Sequence, residues 1–226
     1  MRGRSASASK VTARRCLYVL LFALLCGCSA APGQDGLGVS VEQRAVLAQA
    51  GQLQDGDLVF RRGRDLMSSL VLRQGQASRF SHVGMVRLLE GQVTIVHAMP
   101  DEAGSPGGVR QERLADFLAP AVASDAASYR LPGLDRAALA GWLDAQHGKP
   151  FDMRFALSDA SALYCSELVL RALAAGGRPQ ALATVSAPLL DEPVVTPDAL
   201  RAIAGLLVLA GDGTAPAGPA AQAGAG

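Results

Sequence analysis

HVGMVRLLEGQVTIVHA, residues 82–98, decides the fold. Two apolar, β-branched runs, Val83 to Leu89 and Gln92 to Ala98, flank Glu90-Gly91. Two residues between such runs make a tight β-hairpin. A two-residue turn pairs Leu89 with Gln92 and fixes the register, so that facing positions sum to 181. His82 then faces Met99, and His97 faces Gly84. The two histidines share a face as diagonal neighbours, about 7–8 Å apart at the backbone. A slip of one residue would send them to opposite faces.

Upstream of the hairpin, Glu42 to Ala50 reads as a short helix and Leu58-Val59-Phe60 as a strand. Asp65 caps a helix through about Arg73, with Leu66, Leu70 and Val71 on one face. Downstream, Gly104 to Gly108 reads as a loop, Arg113 to Leu118 as a short helix and Ser128 to Leu131 as a strand. Asp135 caps a helix carrying Leu139, Trp142 and Leu143, ended by Gly148. An amphipathic helix starts near Cys165, carries Leu168, Val169, Ala172 and Leu173, and stops at Gly176-Gly177. Thr196-Pro197-Asp198 starts another. Helices with an antiparallel sheet and no βαβ alternation mean an α+β fold.

The 226 residues suffice for one ordinary domain. Half are apolar and 18% charged, enough to bury a core. Residues 1–27 hold five of the 21 basic residues and none of the 20 acidic ones, leaving a body of net charge −4. Such a body has no electrostatic footprint for nucleic acid. Arg14-Arg15 leads into a short apolar run, Cys16 to Leu25, the build of a secretory signal rather than a membrane span of about 20 residues. The run ends in Leu25-Cys26-Gly27-Cys28, which resembles the lipobox of bacterial lipoproteins. That resemblance implies cleavage after Gly27 and a lipid anchor on Cys28, and Ser29 after it implies the periplasmic face of the outer membrane. A plain secretory signal is the alternative. Residues 1–27 are thus expected to be a signal peptide and 28–40 a tether. Residues 41–210 are expected to form the domain. Residues 211–226, almost all Gly, Ala, Pro and polar, are expected to be a disordered tail.

Cleavage and lipidation would leave Cys165 as the one thiol of the domain, a liability in an oxidising compartment unless buried or used. At a helix start, backbone N–H groups lower a thiol pKa from about 8.5 towards neutrality. A thiolate beside an imidazole base, itself oriented by a further polar group, is a nucleophilic site. The Cys165 amide is a candidate oxyanion donor. His147, near a helix end, is assigned no chemistry. Asp57 and Asp152 read as turn or capping residues. Tyr164 and Ser166 border the thiol. A zinc site of Cys165, His82 and His97 is the metal alternative, disfavoured because the ligands lack close paired spacing.

Five segments in order carry a wider resemblance: GDLVF (56–60), SRFSHVGMV (78–86), IVHA (95–98), GKPFD (148–152) and YCSELV (164–169). They resemble the NlpC/P60 superfamily in its circularly permuted YiiX/YebB-like branch of cysteine hydrolases, in which the histidine precedes the cysteine. The resemblance implies a permuted papain-like fold with Cys165 as nucleophile at a helix N-terminus, His82 as general base and His97 as orienting residue, where relatives often carry Glu. It implies an acyl-enzyme, no cofactor and no metal. It further implies an amide substrate, either a peptide or a peptidoglycan stem. A hydrolase or acyltransferase acting on a lipid acyl ester or amide is the alternative activity, and a silent binding lipoprotein the alternative class.

Overall fold

The computed structural model describes residues 38–74, 78–101, 106–186 and 190–213. The expected signal peptide, Cys28, the tether up to residue 37, residues 104 and 105 of the expected loop, and the tail from 214 lie outside the described residues.

Helix α1 spans Val41–Ala48, with a Ser40–Gln43 capping box, and a 3-10 turn follows at Ala50–Gln52. Strand β1 is Leu58–Gly63 and α2 is Leu66–Gln74, its first turn capped by Asp65, which accepts from the Ser68 amide at 2.7 Å. Strands β2 (His82–Leu89) and β3 (Gln92–Met99) form the hairpin. Their pairing runs from Leu89↔Gln92 to Met85↔Val96, the register expected from a two-residue turn. Glu90 and Gly91 sit at φ 49° and 78°, the double left-handed conformation of a type I′ turn. Strand β4 (Gly108–Arg113), helix α3 (Leu114–Phe117), β5 (Ala123–Arg130), α4 (Arg136–Ala145), α5 (Cys165–Ala175), α6 (Pro197–Arg201) and β6 (Leu207–Ala210) complete the order. Asp135 and Thr196 cap α4 and α6 through the amides of Ala138 and Ala199.

Six strands form one sheet in the order β4-β3-β2-β1-β5-β6, with every pairing antiparallel. Its two faces are covered separately. Leu58, Phe60, Val83, Met85, Val96 and Ala98 pack under α4 and α5 with Leu139, Leu143, Leu168 and Val169. Val59, Val86, Ile95 and Ala126 meet Val46 of α1 and Leu114 and Phe117 around α3. Strand alternation assigns each side chain to a face.

Three sequence expectations change. The apolar residues of α2 do not form a core face: Leu66 is 79% and Leu70 46% exposed. Their helical spacing is real, but the stripe lines a surface groove. β4 and β6 went unforeseen, because Arg110, Gln111, Glu112 and Arg113 show no apolar alternation and β6 is a four-residue edge. Gly211 and Asp212, placed in the tail by composition, belong to the packed body. Asp212 is bonded to Arg79, Arg201 and Tyr129.

Candidate active site

The hairpin register puts His82, first residue of β2, and His97, near the end of β3, on one face. Their rings meet directly: His82 Nε2 lies 2.8 Å from His97 Nδ1, with centroids 5.0 Å apart and planes at 77°. Gly84 permits this close packing of β2 on β3. A Cβ there would sit 2.4 Å from Ile95 Cγ2 and 3.1 Å from His97 Cβ. Phe117 lies against both imidazoles, 5.7 and 5.1 Å between centroids. The Arg61 guanidinium covers the Phe117 ring at 4.5 Å and donates to the Phe117 carbonyl at 3.0 Å. Both histidines are buried.

Cys165 arrives from the other helical layer as the first residue of α5, where it packs in the same core cluster as Val83, next in sequence to His82. The helix start is pinned from behind. Ser166 donates to the Val195 carbonyl at 2.6 Å, and Tyr164 accepts from the Val195 amide at 3.2 Å. These two neighbours of the cysteine therefore have structural partners. Cys165 and His82 line one small cavity of about 30 Å³, with Arg61, Ser81, Met99 and Phe155 among its walls. The His82 atom engaged by His97 is Nε2, so Nδ1 is the ring nitrogen that this contact leaves over.

Behind His97 stands a residue that sequence reasoning missed. Arg110 of β4 pairs with His97 of β3, so Glu112, two residues on, shares that face. Its Oε1 lies 3.2 Å from His97 Nε2 and 2.8 Å from Arg110 Nη2. The approach to His97 is a charged contact rather than an aligned hydrogen bond. Nothing local marks Glu112; only the β3–β4 pairing reveals it.

The electrostatics differ from expectation. Burial pushes the Cys165 thiol up, and the Val83 and Ser166 amides, the Ser166 hydroxyl and Arg61 pull it down without prevailing. Burial also holds His82 well below the ordinary imidazole range, helped by Arg61, His97 and Arg110. His97 falls to about 4, with burial outweighing the opposing pull of Glu112 and with Arg61 and Arg110 adding to the depression. Burial would raise Glu112, but contact with His97 and the charges of Arg110 and Arg61 bring it to about 2. The resting pair is neutral thiol and neutral imidazole, not the thiolate expected from the helix terminus alone. A helix dipole of the order of 1 kcal/mol does not offset removal of the sulfur from water.

The remaining candidates are structural. Asp57 is buried and bonded to Arg130 and the Gln54 amide, and Asp152 accepts from the amides of Arg154 and Ala156. His147 lies beyond the end of α4, away from the cavity. Among the described residues no group of three or more His, Cys, Asp or Glu is arranged to hold a metal ion. Beside the cavity runs a groove of about 600 Å³, walled by Leu66, Leu70 and Met153 and sharing Met67's neighbourhood, Pro100 and Phe151 with it.

Cys165, His82 and His97 all lie within the stretch of the chain that a known family's model matches. The model of the permuted papain-like amidase enzymes, YaeF/YiiX, C92 family, matches residues 52–201. The chain belongs to this family. It is accordingly a cysteine hydrolase of the papain-like amidase type. Among solved structures it is similar to the metalloprotein YiiX from Escherichia coli O157:H7, with 24% identity and a TM-score of 0.58 over 70% of this chain and 96% of that one. This likeness bears on the fold. Comparison with curated proteins gives no match.

Proposed function

We propose that this family member cleaves an amide bond, in a peptide or a peptidoglycan stem, through a Cys165–His82–His97 acyl-enzyme mechanism. The 2.8 Å contact between His82 Nε2 and His97 Nδ1 carries the reading, because it turns the His82 ring so that Nδ1 is left for the thiol. In the first step His82 Nδ1 takes the thiol proton as sulfur attacks the carbonyl carbon. The Cys165 amide serves as a donor to the oxyanion. The proton passes to the leaving amine, the C–N bond breaks and a thioester remains. Water, deprotonated by His82, then releases the acid.

A second reading, hydrolysis of a lipid acyl ester or amide, is favoured by the groove, whose walls are mostly apolar side chains. Turnover of purified muropeptides against N-acyl and O-acyl lipids separates the two. Cys165→Ala and His82→Ala should each abolish turnover of the true substrate. Full activity in either variant would sink the mechanism. A wild-type protein that turns over neither class and resists a thioester-forming probe would fit a binding lipoprotein.

The place of action is proposed on the N-terminal sequence, with Cys28 as a lipid anchor holding the domain at the periplasmic face of the outer membrane. Cys28→Ala should abolish labelling by palmitate and accumulate precursor. Equal processing of both forms would overturn the anchor.

A further inference from the structure

We propose that Glu112 is a positioning residue that sets the tautomer of both histidine rings and so leaves His82 Nδ1 as the bare, proton-accepting atom. The inference rests on Cys165 and His82 being the reacting pair, and it adds a fourth member behind the third.

The argument is one of donors and acceptors. An ionised carboxylate only accepts. A lone pair on His97 Nε2, 3.2 Å from Glu112 Oε1, would face negative charge, whereas an N–H there faces its complement. The sign of that contact, not its alignment, places the His97 proton on Nε2. A neutral ring protonated at Nε2 has its lone pair on Nδ1. The atom 2.8 Å away, His82 Nε2, must then donate. A neutral His82 that donates from Nε2 has its remaining lone pair on Nδ1. The opposite arrangement presents a lone pair to Glu112 and an N–H to the thiol, and it contains no base.

The surrounding charges reinforce the choice. Arg110 Nη2 holds the same carboxylate oxygen at 2.8 Å. Arg61 from β1 and Arg110 from β4 carry donors only, so neither can replace Glu112 as acceptor. Arg64, Asp65 and Asp116 face Glu112 across a pocket of about 220 Å³. Asp116 is paired with Arg113 at 2.7 Å and Asp65 with Ser68 at 2.6 Å. When His82 takes the thiol proton, its positive charge is shared along the Nε2–H···Nδ1 bond towards a carboxylate one ring further back. A histidine in the third position lacks the charge that Glu would bring there, and Glu112 supplies it from the next strand.

The test reads the rings directly. Long-range proton–nitrogen spectra of the imidazoles are recorded at pH 7 on the full-length protein, with His147→Gln removing the unrelated ring. Wild type should show Nε2–H on both His82 and His97. In Glu112→Ala the Nδ1–H form should appear on the two rings together, and alkylation of Cys165 by iodoacetamide at pH 8 should slow on the order of 10–100-fold. Should Glu112→Ala fail to fold, Glu112→Met, of similar volume and without an acceptor oxygen, gives the same readout. An Nδ1–H tautomer in wild type, or unchanged rings in the variant lacking an acceptor, would overturn the proposal. So would moved tautomers with an unchanged alkylation rate. Because the spectra need no turnover, a failed substrate assignment leaves this result intact.

Discussion

His97 shows how one buried side chain ties the site to stability. In the unfolded chain its imidazole titrates near 6.5, whereas in the fold it resists protonation until about 4. Between these values the unfolded state binds a proton that the folded state refuses. The contribution is therefore complete above pH 6.5 and is lost as pH falls towards 4. At pH 5 the loss is about 2 kcal/mol for His97 alone, roughly 4–8 °C in Tm for a domain of this size. His82 shifts in the same direction and adds to it. Glu112 acts in a separate window: its carboxyl, normally at 4.5, sits at about 2 in the fold, so its contribution is lost only below pH 4.5. Melting curves at pH 7.5 and pH 5 should show this fall, and His97→Gln should flatten it. An equally steep fall in the variant would place the sensitivity elsewhere. The same burial keeps His82 an unprotonated base in mildly acidic solution, so turnover should persist at pH 5.5 wherever the fold does.

At the scale of elements, the β2–β3 hairpin carries the site, and its construction is local. Glu90 and Gly91 make the turn, the turn sets the register, and the register puts two histidines on one face. Each step is written in consecutive residues, which is why the hairpin, the histidine pair and the start of α5 are legible in the sequence. Glu112 is not, because its place depends on β4 pairing with β3 through a polar segment. The ionisation of Cys165 is not legible either, because burial is set by α5 meeting the sheet and not by neighbours in sequence. Gly84 probes the hairpin without touching a reacting group. Gly84→Val forces a Cβ to within 2.4 Å of Ile95 Cγ2 and 2.9 Å of the Val96 carbonyl. Overpacking of this kind costs about 1–3 kcal/mol. It should also lower turnover by shifting β3, whose His97 Cβ is 3.1 Å away. Gly141 in α4 is the control, since a Cβ there meets nothing within 4 Å. Gly141→Ala should gain about 0.4–1 kcal/mol and leave turnover alone. Denaturant melts with kinetics on both variants decide the matter, and a neutral Gly84→Val would show that β3 needs no close approach.

Across the whole molecule, the last packed residues tie distant parts of the chain together. Asp212 follows β6 with its side chain only 5% exposed. It accepts from Arg79 at 2.7 Å, from Arg201 at 3.2 Å and from the Tyr129 hydroxyl at 2.5 Å. Arg79 also holds Asp125 at 2.8 Å, while Asp198 at the start of α6 accepts from the amides of Arg79 and Phe80. One carboxylate thus links β5, α6 and the segment leading into β2, whose first residue is His82. Composition alone groups Asp212 with the Gly/Ala/Pro stretch that follows, because its partners lie 11 to 133 residues away in sequence. Two truncations separate these readings. Ending the chain after Gly213 removes only residues with small or polar side chains and should leave Tm unchanged. Ending it after Ala210 removes Asp212, leaving Asp125 as the carboxylate of Arg79 and Asp198 as that of Arg201. Losing hydrogen bonds to a charged group in this way costs about 1.5–3 kcal/mol, roughly 3–12 °C here. Asp212→Asn in the full chain should reproduce most of that loss, since the carboxamide keeps an acceptor oxygen but not the charge. If both truncations melt together with wild type, the ion pairs at Asp212 contribute nothing and the domain ends at β6. If the loss appears already on removing 214–226, the body extends beyond Asp212.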